Sequence, residues 1–367
     1  MTKALYVGSF DPVTLGHMDI IKRAAAMFDE VEIAVGDNPN KKYMFSFAER
    51  VKLMEKAIHL LPTETVLKLS LEYEPIMSLT ADYARRYGFD VIIKGVRTTQ
   101  DFDYEKMLHE ISATQQRGIE TVLLFSSEHL GYVSSSAAKE LAKYQGLIHK
   151  YVPIHVKAAI EAKLGQRIIG VTGTVGSGKS TFCERYAANH GATHVNMDLL
   201  AHELLTSELP LAVETREKVK REFGTINRKE LGEIVFGNEA ELKKLNEIYK
   251  EPMLTMLREK LAGLKGTILL EGALLAEMDW LFLCNNRIVL AKTPSLAEHH
   301  RRLLGRGMTL EQIDRRVKSQ YFESDKVFTI AMQLNKDIFG KCLMYDSENT
   351  DWDDATAKIR EYIKSEE

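Results

Sequence analysis

Arg167-Ile-Ile-Gly-Val-Thr-Gly173 runs directly into Thr174-Val-Gly-Ser-Gly-Lys-Ser-Thr181. A β-branched run enters a glycine turn and leaves it as a helix. Gly173 to Ser180 match GxxxxGK[ST] in full, in the strand–loop–helix setting that the pattern requires. Glycines let consecutive backbone N–H groups turn inward around a phosphate, and the helix N-terminus adds a favourable dipole. Lys179 reaches β and γ oxygens, and the Ser180 hydroxyl suits Mg²⁺. Gly173, Gly176, Ser177, Gly178, Ser180 and Thr181 are therefore candidate ATP-binding residues, with Lys179 as a catalytic cation.

The chain opens in the same way. Ala4 to Val7 is a strand, Gly8-Ser-Phe-Asp-Pro12 a loop, Leu15 to Phe28 a helix and Val31 to Val35 a second strand. Further strands are expected at Val66 to Leu71, Val91 to Lys94 and Thr121 to Phe125. Helices are expected around Ser46 to Leu61, Pro75 to Tyr87, Tyr104 to Arg117 and Ser136 to Tyr144. Short strands alternating with amphipathic helices predict an α/β protein built on parallel sheets. A last helical pattern over Lys157 to Leu164 ends at Gly165, which reads as a C-cap. Two domains follow, 1–164 and 167–367.

Composition narrows the partners. The 367 residues suit two domains, and 49 Lys plus Arg against 52 Asp plus Glu leave a net charge of −3. That balance carries no footprint for nucleic acid or anionic lipid. Three separated cysteines, without CxxC spacing, argue against a disulfide framework or a structural zinc site. The most apolar later stretch, Thr267 to Cys284, is broken by Glu271, Glu277 and Asp279. No membrane span and no signal peptide are expected, and a reducing cytoplasm fits best.

In the second half, Asp198 follows the short strand His194 to Met197. It reads equally as a base near the γ-phosphate and as a helix N-cap. Arg301, Arg302 and Arg306, then Arg315 and Arg316, form a basic helical stretch broken by Gly305 and Gly307. Such a run is either a solvated, ion-paired face or a lid that brings cationic charge onto a transferring phosphoryl group.

From Arg167 onward the sequence resembles dephospho-CoA kinase, a P-loop NTPase-type kinase with a helical lid. The matching pieces are the loop to Thr181, Asp198 with Leu199-Leu-Ala-His202, Leu274-Leu-Ala-Glu277, Arg302, Arg306 and Arg316 with Gln320. The resemblance implies that Asp198 deprotonates the ribose 3′-hydroxyl of dephospho-CoA and that Arg302 and Arg306 serve the lid. Three positions depart from that family: Asn196 replaces a second aspartate, Glu251 a histidine, and Glu271-Gly-Ala an Asp-x-Pro.

The first loop places Ser9 and His17 at the start of a helix, a phosphate-facing arrangement in which His17 could donate to an α-phosphate oxygen. Thr14-Leu-Gly-His17 is similar to the signature of the HxGH-type nucleotidyltransferases, which have a Rossmann-like parallel sheet. Asn40-Lys41-Lys42, Ile93-Lys94-Gly95-Val96-Arg97, Asp101-Phe-Asp-Tyr104-Glu105 and Val133-Ser134-Ser135-Ser136 narrow the resemblance to bacterial phosphopantetheine adenylyltransferase. It implies that Ser9, Phe10 and His17 meet the nucleotide and that Lys41 neutralises phosphate charge. Ser134, Ser135 and Ser136 would open the helix that cradles the triphosphate, with Lys94, Arg97 and Glu105 near the nucleotide. Lys94 stands where the family has arginine, keeping the charge and losing the bidentate fork. Leu79 reads either as the contact for the pantetheine arm or as a core leucine.

Together the resemblances imply a bifunctional transferase of coenzyme A biosynthesis. Its substrates and products would be ATP with Mg²⁺, 4′-phosphopantetheine, dephospho-CoA and coenzyme A, and it would form a homo-oligomer through the first domain. Two other readings stay open for the second half: a kinase for another acceptor, and a module that only senses nucleotide or coenzyme A.

Overall fold

The computed structural model describes the chain except residues 77, 115–118, 236–237, 319, 350–351 and 366–367 and the side chains of 316 and 363–365. Its contacts divide into two units, Met1–Lys163 and Leu164–Glu367.

The first unit runs β1 (Lys3–Gly8), α1 (Leu15–Met27), β2 (Glu30–Val35), α2 (Phe47–Ile58), α3 (Thr63–Val66), β3 (Leu69–Glu72), α4 (Thr80–Arg86), β4 (Val91–Val96), α5 (Thr99–Thr114), β5 (Glu120–Phe125), α6 (Ser135–Lys143) and α7 (Ile154–Lys163). The five strands are parallel in the order β3-β2-β1-β4-β5. β1 is therefore central and its C-terminal loop lies where the strand order reverses, the usual ligand position in such sheets. Leu5, Ala34 and Ile92 from neighbouring strands pack with Ala84 and Phe89.

Several boundaries differ from the sequence expectation. Val66 lies in α3 because Pro62 opens a helical turn, its carbonyl accepting from the Thr65 and Val66 amides, so β3 starts only at Leu69. α4 begins at Thr80 rather than Pro75. α5 begins at Thr99 because Thr98 and Asp101 cap it reciprocally, the Asp101 amide donating to Thr98 Oγ1 and the Thr98 amide to Asp101 Oδ2. The end of the expected helix Tyr104 to Arg117, past Thr114, lies outside the described residues.

The second unit runs β6 (Gln166–Gly173), α8 (Lys179–His190), β7 (Thr193–Asn196), α9 (Met197–Thr206), α10 (Pro210–Phe223), α11 (Arg228–Val235), α12 (Glu239–Leu261), β8 (Gly266–Glu271), β9 (Arg287–Ala291), α13 (Leu296–Leu304), α14 (Leu310–Lys318), α15 (Glu323–Asp337), β10 (Lys341–Tyr345) and α16 (Trp352–Ser365). Its parallel order is β10-β9-β6-β8-β7. β6 is buried almost throughout, as a central strand covered on both faces must be. Phe182 and Tyr186 of α8 and Ile359 of α16 pack with Val171, Leu269 and Val289 of the sheet. The helices α10 to α12 hold a cluster of their own around Val219, Leu231, Val235 and Leu245.

Gly173 ends β6 at φ +145, and a Cβ there would lie 2.4 Å from the Ala291 carbonyl oxygen. Gly173→Ala is expected to destabilise the second unit by roughly 3 kcal/mol, through backbone strain and overlap with β9. Both tryptophans, Trp280 and Trp352, belong to this unit. Denaturant unfolding followed by tryptophan fluorescence therefore reads the effect directly, and a loss under 1 kcal/mol would count against it.

Candidate functional site

In the first unit, Thr14 caps α1 and His17 occupies the third helical position. The Thr14 amide donates to His17 Nδ1 at 3.0 Å while the His17 amide donates to Thr14 Oγ1 at 3.3 Å. Because Nδ1 accepts, the neutral ring carries its hydrogen on Nε2. Burial, and after it the charge of Arg97, push the ring pKa down to about 4. The result is a neutral imidazole with one committed donor.

Buried charges brace the loop that presents it. Asp11, 3% exposed, accepts from the Met44 and Phe45 amides and from Lys139 Nζ at 2.7 Å. Burial alone would raise this carboxyl, but Lys139 and the two amides hold it below the usual range. Arg50, fully buried, donates to the carbonyls of Ser9 at 2.8 Å and Gly36 at 2.7 Å and pairs with Asp37. The Ser135 hydroxyl donates to the Pro12 carbonyl at 2.7 Å, joining the loop to the start of α6.

Other sequence candidates gather at the same end of the sheet. Lys41 Nζ donates to Ser9 Oγ at 3.2 Å. Lys94 and Glu105 form an ion pair at 3.1 Å. Arg97 donates to the Val133 carbonyl at 3.0 Å, next to Ser134, which caps α6, and Ser136 is exposed in its first turn. The Phe10 ring is buried between Tyr6 and His17, with centroids 5.4 and 5.0 Å away, and its φ is +44. It positions the histidine and leaves only its backbone to a ligand. Leu79 is 56% exposed at the start of α4, which removes the core reading. Asp11 and Arg50 have no local sequence signature as braces, because their partners lie 13 to 128 residues away.

In the second unit, the Ser180 hydroxyl donates to Glu271 Oε1 at 2.6 Å, and Glu271 Oε2 lies 2.8 Å from both His194 Nε2 and Asn196 Nδ2. Burial would raise the Glu271 carboxyl, but the His194 and Ser180 hydrogen bonds and the Lys179 charge hold it below its ordinary range. Lys179 Nζ donates to the Thr174 carbonyl at 2.8 Å. Its own burial brings it down to about 8, against the opposing attraction of Asp198 and Glu271. Ser177 Oγ is buried inside the loop without a protein partner. The exposed Thr181 follows on α8.

Asp198 is not the helix cap. Asn196 holds that position, its Oδ1 accepting from the Asp198 and Leu199 amides, so the Asp198 side chain is exposed and free of capping duty. A pocket of about 70 Å³ opens beside it, lined by Ala201, Tyr249 and Leu275 among others. A larger cavity of about 480 Å³ shares Ala201 and Tyr249 with it and takes in His202, Arg228, Lys229 and Arg315.

The arginine run divides between its two readings. Arg301 and Arg315 are surface partners of Glu298 and Glu311. Arg302 does both: its Nε donates to Glu298 Oε1 at 2.6 Å, while Nη1 donates to the Gly176 carbonyl at 3.3 Å and to Ser347 Oγ at 2.8 Å, and His299 and Gln320 hold the carbonyl and amide of Val175. Arg306 is exposed, yet close enough for its charge to depress Lys179. The Arg316 side chain lies outside the described residues.

Phosphopantetheine adenylyltransferase of Nautilia profundicola is 41% identical over 152 residues, covering 41% of this chain and 94% of that protein. Over its first unit, the chain belongs to the phosphopantetheine adenylyltransferase family. The enzyme of that name from Alkaliphilus metalliredigens is likewise 41% identical over 163 residues, 44% of this chain and 99% of its own. A cytidylyltransferase-like family model matches residues 5–141, and a dephospho-CoA kinase family model matches 167–338. Among solved structures, a dephospho-CoA kinase from Campylobacter jejuni aligns over 55% of this chain and 97% of that one, at 21% identity and a TM-score of 0.32.

The His17 geometry of the adenylyltransferase unit has a consequence for stability. The unfolded ring takes up a proton near pH 6.5, and the folded one refuses it down to about pH 4. Stability present above pH 6.5 is therefore expected to be lost as pH falls through that window, by at most about 3 kcal/mol. His17→Gln keeps an acceptor for the Thr14 amide and removes the titration. Urea unfolding followed on the β1 amides at pH 4 to 7 should show a shallower pH slope for the variant. Asp11 adds slope of the same sign in both proteins, so their difference isolates the ring, and equal slopes would refute a folded ring that stays neutral down to about pH 4.

Proposed function

We propose that the chain is a bifunctional transferase carrying out the last two steps of coenzyme A biosynthesis. In the first, the phosphate of 4′-phosphopantetheine attacks the α-phosphorus of ATP, giving dephospho-CoA and pyrophosphate. In the second, the γ-phosphoryl of another ATP passes to the ribose 3′-hydroxyl of that product. The observation that carries this reading is that each unit has its own phosphate-facing loop, at the C-terminal end of the central strand of its own sheet.

In the first reaction, His17 Nε2–H donates to the α-phosphate oxygen on which charge grows, and Lys41 and the α6 N-terminus meet the departing pyrophosphate. Leu79 and its exposed neighbours face the pantetheine arm. In the second, Lys179 leaves the Thr174 carbonyl for the β and γ oxygens, Asp198 takes the 3′-hydroxyl proton, and Arg302 and Arg306 add charge from the lid. The acceptor occupies the pockets beside Asp198. The oxygen donors of Ser180 and the buried Glu271 suit a hard ion, and would hold the Mg²⁺ that arrives with ATP. When bound, that ion neutralises phosphate charge.

We further propose that the first unit self-associates through α5. None of its sixteen residues is buried, and Tyr104, Met107 and Ile111 expose an apolar face at helical spacing. The reaction chemistry itself belongs in the cytoplasm.

Lys179→Ala is expected to abolish phosphorylation of dephospho-CoA while leaving pyrophosphate release with phosphopantetheine within about twofold, since the two loops belong to separate sheets. Asp198→Asn should lower single-turnover phosphorylation by at least about a hundredfold, with MgATP still bound. Loss of both activities in the Lys179 variant would refute the two-site reading. A wild-type kinase rate no better than that of Asp198→Asn would leave the second unit as a nucleotide-sensing module.

A further inference from the structure

Ser180 and Cys183 are three residues apart on α8 and share a face of that helix. His194 and Asn196 alternate along β7 and share one face of the sheet, with Asn196 in register with Glu271 on β8. This brings together three side chains of different softness. Cys183 Sγ, a ring nitrogen of His194 and a carboxylate oxygen of Glu271 all lie within 4.8 Å of one another. Cys183 and Glu271 are buried and His194 partly so. The kinase reading uses neither the thiol nor the imidazole.

A set of one thiolate, one imidazole and one carboxylate is a zinc-type donor set, completed by water at a fourth, tetrahedral position. Ligand atoms in such a site stand about 3.3 to 3.8 Å apart, given bonds of about 2.0 to 2.3 Å, so closure requires the widest pair to approach by about 1 Å and His194 Nε2 and Glu271 Oε2, now 2.8 Å apart, to part by about 0.5 Å. The charges also balance, because a thiolate and a carboxylate neutralise a divalent cation and leave a buried site without net charge. Sulfur and nitrogen select zinc or cobalt(II) over magnesium.

We propose that Cys183, His194 and Glu271 form a binding site for a zinc-class divalent metal directly beneath the phosphate loop of the second unit. On binding, the thiol proton leaves to solvent, and the ring hydrogen that His194 Nε2 donates to Glu271 moves to Nδ1, freeing Nε2 for the ion. The ion takes Glu271 Oε2, the oxygen now shared by His194 and Asn196, and leaves Oε1 to Ser180. Asn196, which caps the helix bearing Asp198, then loses its acceptor. Metal loading thereby slackens the placement of Asp198 and lowers phosphoryl transfer. This last consequence rests on the kinase reading, whereas the site itself does not.

The test is titration of the full-length, chelator-treated chain with Co²⁺. One equivalent is expected to give the visible bands of tetrahedral cobalt together with a near-ultraviolet thiolate-to-cobalt charge-transfer band, both displaced by Zn²⁺. Cys183→Ser should lose the charge-transfer band. His194→Gln should weaken cobalt binding by roughly tenfold or more, which keeps the test open if the serine variant folds poorly. Absence of the band in the wild-type chain, or its survival in Cys183→Ser with Cys284 or Cys342 as ligand, would overturn the site. Zn²⁺ should also lower dephospho-CoA phosphorylation several-fold, reversibly with chelator. Unchanged turnover in a cobalt-positive protein would overturn the coupling to Asp198. A protein with the cobalt spectrum and no kinase activity at all would instead sink the kinase reading.

Discussion

A buried carboxylate behind each phosphate-facing loop is the constraint on which the rest depends. A loop that binds phosphate must leave backbone N–H groups and cationic side chains aimed at an absent charge, and nothing in the loop itself then fixes its shape. Asp11 supplies that fixing in the first unit, taking two amides from the segment after β2 and the ammonium of Lys139 on α6. Glu271 does so in the second, gathering Ser180 of α8 with His194 and Asn196 of β7. Both are held ionised against a burial penalty by donors from two separate segments. Removing any one donor leaves a charge that the interior tolerates poorly.

The two loops solve opposite electrostatic problems with the same device. The cap bond and the burial of His17 keep its ring neutral with the proton on Nε2 alone, the form that the proposed adenylyl transfer uses. Lys179 has to stay charged while almost buried, and the negative field of Asp198 and Glu271 opposes its desolvation. In each case the helix that starts at the loop carries the titrating side chain in its first turn, so in the proposed reactions the helix dipole and the side chain would act on the same phosphate.

The loops and central strands were legible in the sequence because their signals are local: glycines and a Lys-Ser pair within eight residues, and β-branched runs bounded by turns. The braces were not, because their partners are remote. Lys139 is 128 residues from Asp11, and the three partners of Glu271 are 91, 77 and 75 residues away. The two roles open to Asp198 could not be separated either, since both Asn196 and Asp198 are good caps by type. Only the backbone geometry assigns the cap to Asn196. Pro62 delayed the start of β3 and the Thr98–Asp101 pair advanced the start of α5, local helix initiation in each case outweighing periodicity.

The departures from the kinase pattern at 196 and 271 are best understood as one change. Glu271 is long enough to reach Ser180 with one oxygen and β7 with the other, and Asn196 meets that second oxygen with an amide nitrogen at 2.8 Å. An aspartate at 196 would set two carboxylates at that distance in a buried site, and one of them would have to hold a proton. Its capping oxygen would survive, but a donor between the two groups would exist only through that shared proton. The asparagine amide does both jobs at once, accepting from the Asp198 and Leu199 amides through Oδ1 and donating to Glu271 through Nδ2. The residue that cannot act as a base is thus what allows the larger acid behind the loop to remain ionised and leaves Asp198 free.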